Sequence, residues 1–231
     1  MAILALSLCT ARAEELRPAK GRFLVASRKL LDPNFAETVV LLLEYGRRGA
    51  FGVVVNRPLE VELERFLPDV EEARGSGVVI FWGGPVRTRD LLLLFRSKKK
   101  LRDAEHVFED VYSGGTPELL RKVLRRKIPL RIYSGHAGWA PRQLDDELGE
   151  GYWHVAPADV RSVFEEPPEG LWRKLLPKAE GLEVVERWPA FFRRGARISG
   201  VRGEPSGAPY QVFREVRSST PSTSACDSEA R

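Results

Sequence analysis

The chain has 231 residues, 43% hydrophobic and 30% charged, which excludes a disordered polypeptide and provides for one sizeable core or two small ones. Its net charge of +5 is small against 37 basic and 32 acidic side chains, so charge alone nominates no polyanion, membrane face or acidic partner. The two cysteines, Cys9 and Cys226, lie near opposite ends without Cys-x-x-Cys spacing, which excludes a disulfide framework and a cysteine-rich zinc site.

Residues 1–19 read as a leader or disordered extension. Residues 1–10 are mostly apolar, and Ala11-Arg12-Ala13 has the small-x-small form of a cleavage site, but no basic stretch precedes Ile3. The expectation is a cytoplasmic protein, with export by an atypical N-terminal signal as the alternative. No run approaches 18 consecutive apolar residues, so no transmembrane segment is expected.

A single ordered domain is expected over 20–195. Residues 21–26 read as a strand and 30–35 as the turn leaving it. Residues 38–45 and 50–55 are apolar runs joined by Gly46-Arg47-Arg48-Gly49, the pattern of a β-hairpin. Asn56-Arg57-Pro58 ends the second of them, because proline cannot donate to a ladder. Residues 61–66 read as a short helix, and 77–82 as a strand closed by Gly83-Gly84-Pro85. Residues 91–95 form a further strand, and 107–112 another, interrupted by Glu109 and Asp110.

Thr116 caps a helix over 116–127, with Pro117 and Glu118 suited to its first turn. Leu119, Leu120, Val123 and Leu124 share its apolar face, while Arg121, Lys122, Arg125 and Arg126 lie opposite. The run 132–148 then packs two glycines and a proline around Trp139. It reads as a strand ending at Tyr133, a loop of one fixed shape, and a short helix over 141–148 stopped by Gly149. Residues 152–155 read as a strand, and 157–164 and 170–176 as helices. Glycine, proline and serine accumulate at the end, so 196–231 read as a polar, largely disordered extension.

Several groups offer chemistry. Gly83 and Gly84 after a strand can present backbone N–H groups to an anion, but the Lys-Ser/Thr of a Walker loop is missing; a structural turn is the simpler reading. Ser134 and His136 place polar atoms beside Gly135 and Gly138, with Asp145, Asp146 and Glu147 downstream as orienting groups for a triad. Consecutive helical residues fan out around the axis, so no complete catalytic set is expected. The histidines His106, His136 and His154 are scattered, and no metal site or cofactor is expected. Trp139 reads as a core plug, or alternatively as the wall of a groove, with Gln143 bonding the backbone of the glycine turn. The basic clusters, Lys98, Lys99 and Lys100 and then Arg121, Lys122, Arg125 and Arg126, read as solvated surface, with weak nucleic-acid binding as the alternative.

The ordered set Gly21-Arg-Phe-Leu-Val-Ala26, Asp32-Pro-Asn-Phe35, Gly49-Ala-Phe-Gly-Val-Val-Val-Asn-Arg-Pro58, Gly83-Gly-Pro-Val86, Ser134-Gly-His-Ala-Gly-Trp139, Gln143-Leu144, Glu147 and Gly151-Tyr-Trp153 resembles the YqgE/AlgH family of bacterial proteins. The resemblance spans roughly residues 20 to 175. It implies an α+β domain whose coiled, branched, mainly antiparallel sheet forms a pseudo-barrel with flanking short helices. It supplies no catalytic residues, although some members carry a transcriptional-regulator label. Where the family often has a leucine-histidine pair, this chain has Leu94-Phe95.

The function expected is therefore a non-enzymatic regulatory or protein-interaction domain, with a protein partner or a homodimer in view and nucleic acid disfavoured. Its alternative is a small-molecule or anion-binding protein, or a hydrolase, using the 83–85 and 134–143 loops. The candidate binding residues are Gly83, Gly84, Ser134, His136, Trp139, Gln143 and Glu147.

Overall fold

The computed structural model describes residues 16–180. The expectations for residues 1–15, for a domain end at 195 and for the extension 196–231 lie outside the described residues.

Strand β1 (Arg22–Ala26) pairs antiparallel with β2 (Val39–Gly46), which turns through residues 47–48 into β3 (Gly49–Val54), the expected hairpin. Successive side chains of a strand point to opposite faces. Phe23, Val25, Val39 and Leu41 accordingly enter one apolar cluster, and Leu24, Val40 and Leu42 another. The unbroken apolar run is thus explained: this part of the sheet is covered on both faces.

The chain continues through β4 (Pro58–Glu62), α1 (Leu63–Phe66), β5 (Val79–Trp82) and β6 (Val86–Arg96) into the hairpin of β7 (Glu105–Phe108) and β8 (Val111–Gly114). Helix α2 (Pro117–Arg125) leads to β9 (Leu130–Trp139), α3 (Gln143–Gly149) and β10 (Trp153–Pro157), followed by α4 (Val160–Phe164) and α5 (Leu171–Ala179). The main path of the sheet is β10-β1-β2-β3-β9-β6-β8-β7.

Strand β9 is the branch point. One edge pairs antiparallel with β6; the other is shared between β5, parallel through Ile132 to Ser134, and β3, antiparallel through Ala137 to Trp139. The sheet curls into a half-barrel that brings β7 toward β1. The Lys20 ammonium lies 3.4 Å from the Glu105 carboxylate, and a Cβ on Gly21 would sit 2.8 Å from the Val107 carbonyl oxygen. Phe23, Leu41, Phe81, Leu94 and Tyr133 fill the barrel, closed by Val163, Leu171 and Leu175 of α4 and α5. Helix α2 covers Leu93, Phe95 and Ile132 on the far face. Its Thr116 hydroxyl accepts from the Leu119 amide, as its sequence predicts. The α+β fold with a curled, branched, mainly antiparallel sheet is as expected.

Five local expectations are corrected. The 134–139 segment is not a loop: β9 runs unbroken to Trp139, because β3 supplies a partner for its second half. Residues 107–112 form two strands, and Glu109 and Asp110 are the turn between them; Glu109 has a φ of 41°. Strand β6 starts at Val86, before the apolar run. Asn56-Arg57-Pro58 ends one strand only to begin another, because after a bend at residues 55–56 the chain re-enters the sheet as β4 from Pro58, which pairs with Phe81. Helix α3 passes through Gly149 and is stopped by Gly151, whose φ is 75°. There the Tyr152 amide donates to the Glu147 carbonyl and the Gly151 amide to that of Leu148, a Schellman closure.

Candidate functional site

The predicted site residues do not converge on one site; β9 divides them into two. At its C-terminal end they form a closed clamp. Trp139 is 7% exposed and Trp153 3% exposed, and both indole N–H groups donate to Glu147 Oε2, at 2.9 and 2.7 Å. The other carboxylate oxygen, Oε1, accepts from Gln143 Nε2 at 2.9 Å. Gln143 Oε1 in turn accepts from the Ala140 amide at 3.0 Å, so this side chain does bond the backbone leaving the strand. Positions 143 and 147 share a helix face, which aims both side chains at the tryptophans. Phe35 packs against Trp82, Trp139 and Trp153 with ring centroids 5.8–6.5 Å apart. Asp145, offered as a triad member, instead accepts from the Tyr45 hydroxyl at 2.6 Å, which pushes that phenol up.

A second brace explains two further sequence segments. Arg57 donates to the carbonyls of Pro33, Asn34 and Ala36 and lies 5.2 Å over the Trp82 ring. Asn56 accepts from the Val39 amide and donates to the Glu37 carbonyl. Asn56-Arg57 therefore holds the 32–37 turn in place, and that turn carries Phe35 to the tryptophans. A wide cleft of about 1040 Å³ lies over this brace, lined by Asn34, Glu37, Arg57, Leu59, Trp82 and Glu169. From sequence, Arg57 is no more than part of a strand end. The signal that could have found it is the Asn56-Arg57 pair at a strand end, two side chains rich in donors, in a hairpin whose first strand follows the Asp32-Pro33-Asn34 turn.

At the middle of β9 the remaining candidates meet. The Gly83 amide donates to the Ser134 carbonyl at 2.9 Å, and the Gly83 carbonyl accepts from the Val54 amide at 2.9 Å. A Cβ on Gly84 would collide with the His136 carbonyl, and one on Gly135 would lie 2.5 Å from the Gly84 oxygen and 3.1 Å from Thr88 Cα. These glycines let the 84–90 backbone lie directly on β9. The expected structural turn at 83–85 is thus a backbone contact, and its Gly83 N–H is spent on the strand.

Above this contact β6 bulges: Val86 pairs with His136 and Leu91 with Ser134, so the residues between them loop outward. The bulge carries Arg87, Thr88, Arg89 and Asp90, with Arg87 at a φ of 50°. Its Thr88 carbonyl accepts from the buried Ser134 hydroxyl. Under it opens a pocket of about 510 Å³ lined by Phe51, Arg87, Arg89, Asp90, Leu92 and His136 among others. The half-buried His136 ring stands edge-on to Phe51 at 4.8 Å. Burial pushes its pKa down, the Arg87 charge adds to that, and Asp90 opposes it.

Ser134 does not line this pocket, and its hydroxyl goes to Thr88 rather than to His136. The Ser-His-acid arrangement considered from sequence is not assembled. Among the described residues no three His, Cys, Asp or Glu side chains gather as metal ligands, and no helix is long and apolar enough to cross a membrane. Of the basic residues, Lys98, Lys99 and Lys100 are exposed between β6 and β7, Arg121 and Lys122 are half-buried on α2, and Arg125 and Arg126 are exposed there. Arg125 pairs with Glu72 at 3.2 Å.

Known proteins agree with this architecture. The AlgH-like family model (DUF179) matches residues 23–182. A UPF0301 protein of Streptomyces coelicolor is 39% identical over 188 residues, covering 76% of this chain and 94% of its own length. One from Streptomyces avermitilis is 37% identical over 185 residues, with the same coverage. The solution structure of the AlgH protein from Pseudomonas aeruginosa superposes with a TM-score of 0.61 at 28% identity, over 73% of this chain and 93% of that one. The motifs, the curled and branched sheet, and these similarities together place the chain in the AlgH-like (UPF0301) family.

Proposed function

We propose that this protein is a cytoplasmic, non-catalytic binding domain with a regulatory or protein-interaction role. One observation carries the reading: three of the polar side chains that could act chemically in the 132–148 run, those of Ser134, Gln143 and Glu147, are already occupied by the fold. Glu147 takes three donors, Gln143 bonds on both ends, and the Ser134 hydroxyl serves a carbonyl of the neighbouring strand. A nucleophile needs a base within hydrogen-bond reach, and Ser134 is committed elsewhere. The pocket at His136 favours a second reading, a domain whose partner is a small ligand.

The test is turnover of p-nitrophenyl acetate and p-nitrophenyl phosphate by the purified protein. No rate above background that Ser134→Ala or His136→Ala abolishes is expected. A saturable rate lost in either variant would overturn the non-catalytic reading.

A further inference from the structure

We propose that the pocket under the β6 bulge binds a small organic oxyanion, a phosphate or carboxylate carried on an apolar or planar body. The inference rests on the binding reading above and gives it a ligand class.

Three observations support it. First, the cavity of about 510 Å³ is of the size that takes small ligands, and it combines an apolar wall with a few charged side chains, as such sites do. Phe51 and Leu92, which line it, are half-buried and pack onto the barrel core, so they offer a fixed apolar wall. Second, its charge is unbalanced: Arg87 and Arg89 face a single carboxylate, Asp90. Asp90 holds Arg87 through Nε at 2.8 Å, which orients that guanidinium and leaves its two terminal nitrogens for a ligand. Arg89 has no salt bridge or hydrogen bond among the described residues. Third, the site is built at a conformational cost. Arg87 sits in the left-handed region, and glycines at 84 and 135 are needed for the bulge to lie on β9. A strand with no use for the bulge would pair straight through.

Planar guanidinium groups match phosphate and carboxylate oxygens in pairs. An exposed lysine cluster such as Lys98 to Lys100 offers charge without a wall or a fixed geometry. Pocket and lysine cluster can therefore be told apart by where a probe binds.

The experiment is a titration of the full-length protein with phenyl phosphate and, separately, with benzoate, followed by backbone amide and imidazole NMR. Expected are saturable shifts at Phe51, Gly115 and His136 with at least one probe, and the probe that binds tighter identifies the headgroup. Arg89→Gln, an exposed change that leaves the fold intact, should weaken that binding about tenfold or more, as loss of a charge-assisted contact requires. A variant with Lys98, Lys99 and Lys100 all changed to Gln should bind as the parent does. Absence of saturable shifts with both probes, shifts confined to the lysine cluster and α2, or an affinity unmoved by Arg89→Gln would each overturn the inference. Hydrolysis of the bound phenyl phosphate would instead overturn the non-catalytic reading while leaving the binding site standing.

Discussion

Tyr133 carries the one side-chain polar atom among the described residues that is buried without a hydrogen-bond partner. Its phenol is pushed up by burial, and the charge of nearby Arg131 offsets only part of this. The Arg131 guanidinium is engaged elsewhere, 3.4 Å from the Val55 and Glu166 carbonyls and 4.6 Å over the Phe81 ring. An unpaired buried hydroxyl costs free energy that an apolar group of the same shape does not. Tyr133→Phe should therefore raise the unfolding free energy by about 1 kcal/mol, measured by urea denaturation. A loss of that size would mean that the hydroxyl bonds Arg131 in solution.

His136 gives a residue-scale prediction with a definite sign. Burial first, and Arg87 second, hold its pKa below the ordinary value of about 6.5, with Asp90 opposing. Arg87→Gln should raise the imidazole titration midpoint seen by NMR, and Asp90→Asn should lower it. Between the lowered folded value and the unfolded one, the unfolded chain binds more protons. This histidine's contribution to stability is therefore complete above about pH 6.5 and is lost as pH falls through the folded value. An Arg87→Gln midpoint equal to that of the parent would remove Arg87 as a cause.

At the scale of elements, helix α3 separates two glycines that the sequence presents alike. Gly149 is helical, and a Cβ added there would meet nothing within 4 Å, whereas Gly151 closes the helix at a φ of 75° with only Lys29 Nζ near, at 3.7 Å. Gly149→Ala should stabilise by about 0.5–1 kcal/mol, the helix-interior preference for alanine. Gly151→Ala should cost about 1–2 kcal/mol, because its left-handed backbone disfavours any Cβ. Thermal melts of the two variants, moving in opposite directions, check both. The sequence points to Gly149 as the stop because it is the first glycine after the apolar pattern; the hydrogen bonds that reach Gly151 and Tyr152 are what decide.

The same contrast explains what was legible elsewhere. The hairpin of β2 and β3 and the helix α2 were readable because the signals that make them, paired apolar runs around a glycine turn and a Thr-Pro-Glu start, are local. The second half of β9 was not, because Ser134 to Trp139 looks like a glycine-rich loop until β3 is known to lie beside it. The division of the candidate residues was hidden for a related reason. Trp139 and Glu147 meet Trp153 across a helix and a turn, and the bulge that brings Arg87 over His136 is separated from it by about fifty residues of chain.

For the molecule as a whole, β9 touches three other strands, while β4 pairs with β5 alone and its side chains are half-buried or exposed. Opening β4 exposes little apolar surface, whereas opening β9 parts all three apolar clusters. Native-state hydrogen exchange should show the β4 amides exchanging at least about tenfold faster than those of Ile132 to Ser134. Equal protection in the two strands would mean that β4 is covered by something else, a second copy of the chain being the simplest candidate.

The 132–148 run is thus two devices on one strand. Glu147, Gln143 and the two tryptophans lock α3 to the sheet, and Gly135 with His136 forms the floor beneath the Arg87–Asp90 bulge. The most direct test of that division is the urea unfolding free energy of Glu147→Ala. Removing the carboxylate strands two largely buried indole N–H groups and one amide, so a loss of about 3 kcal/mol is expected. A variant as stable as the parent would show that Glu147 is held for a ligand rather than for the fold.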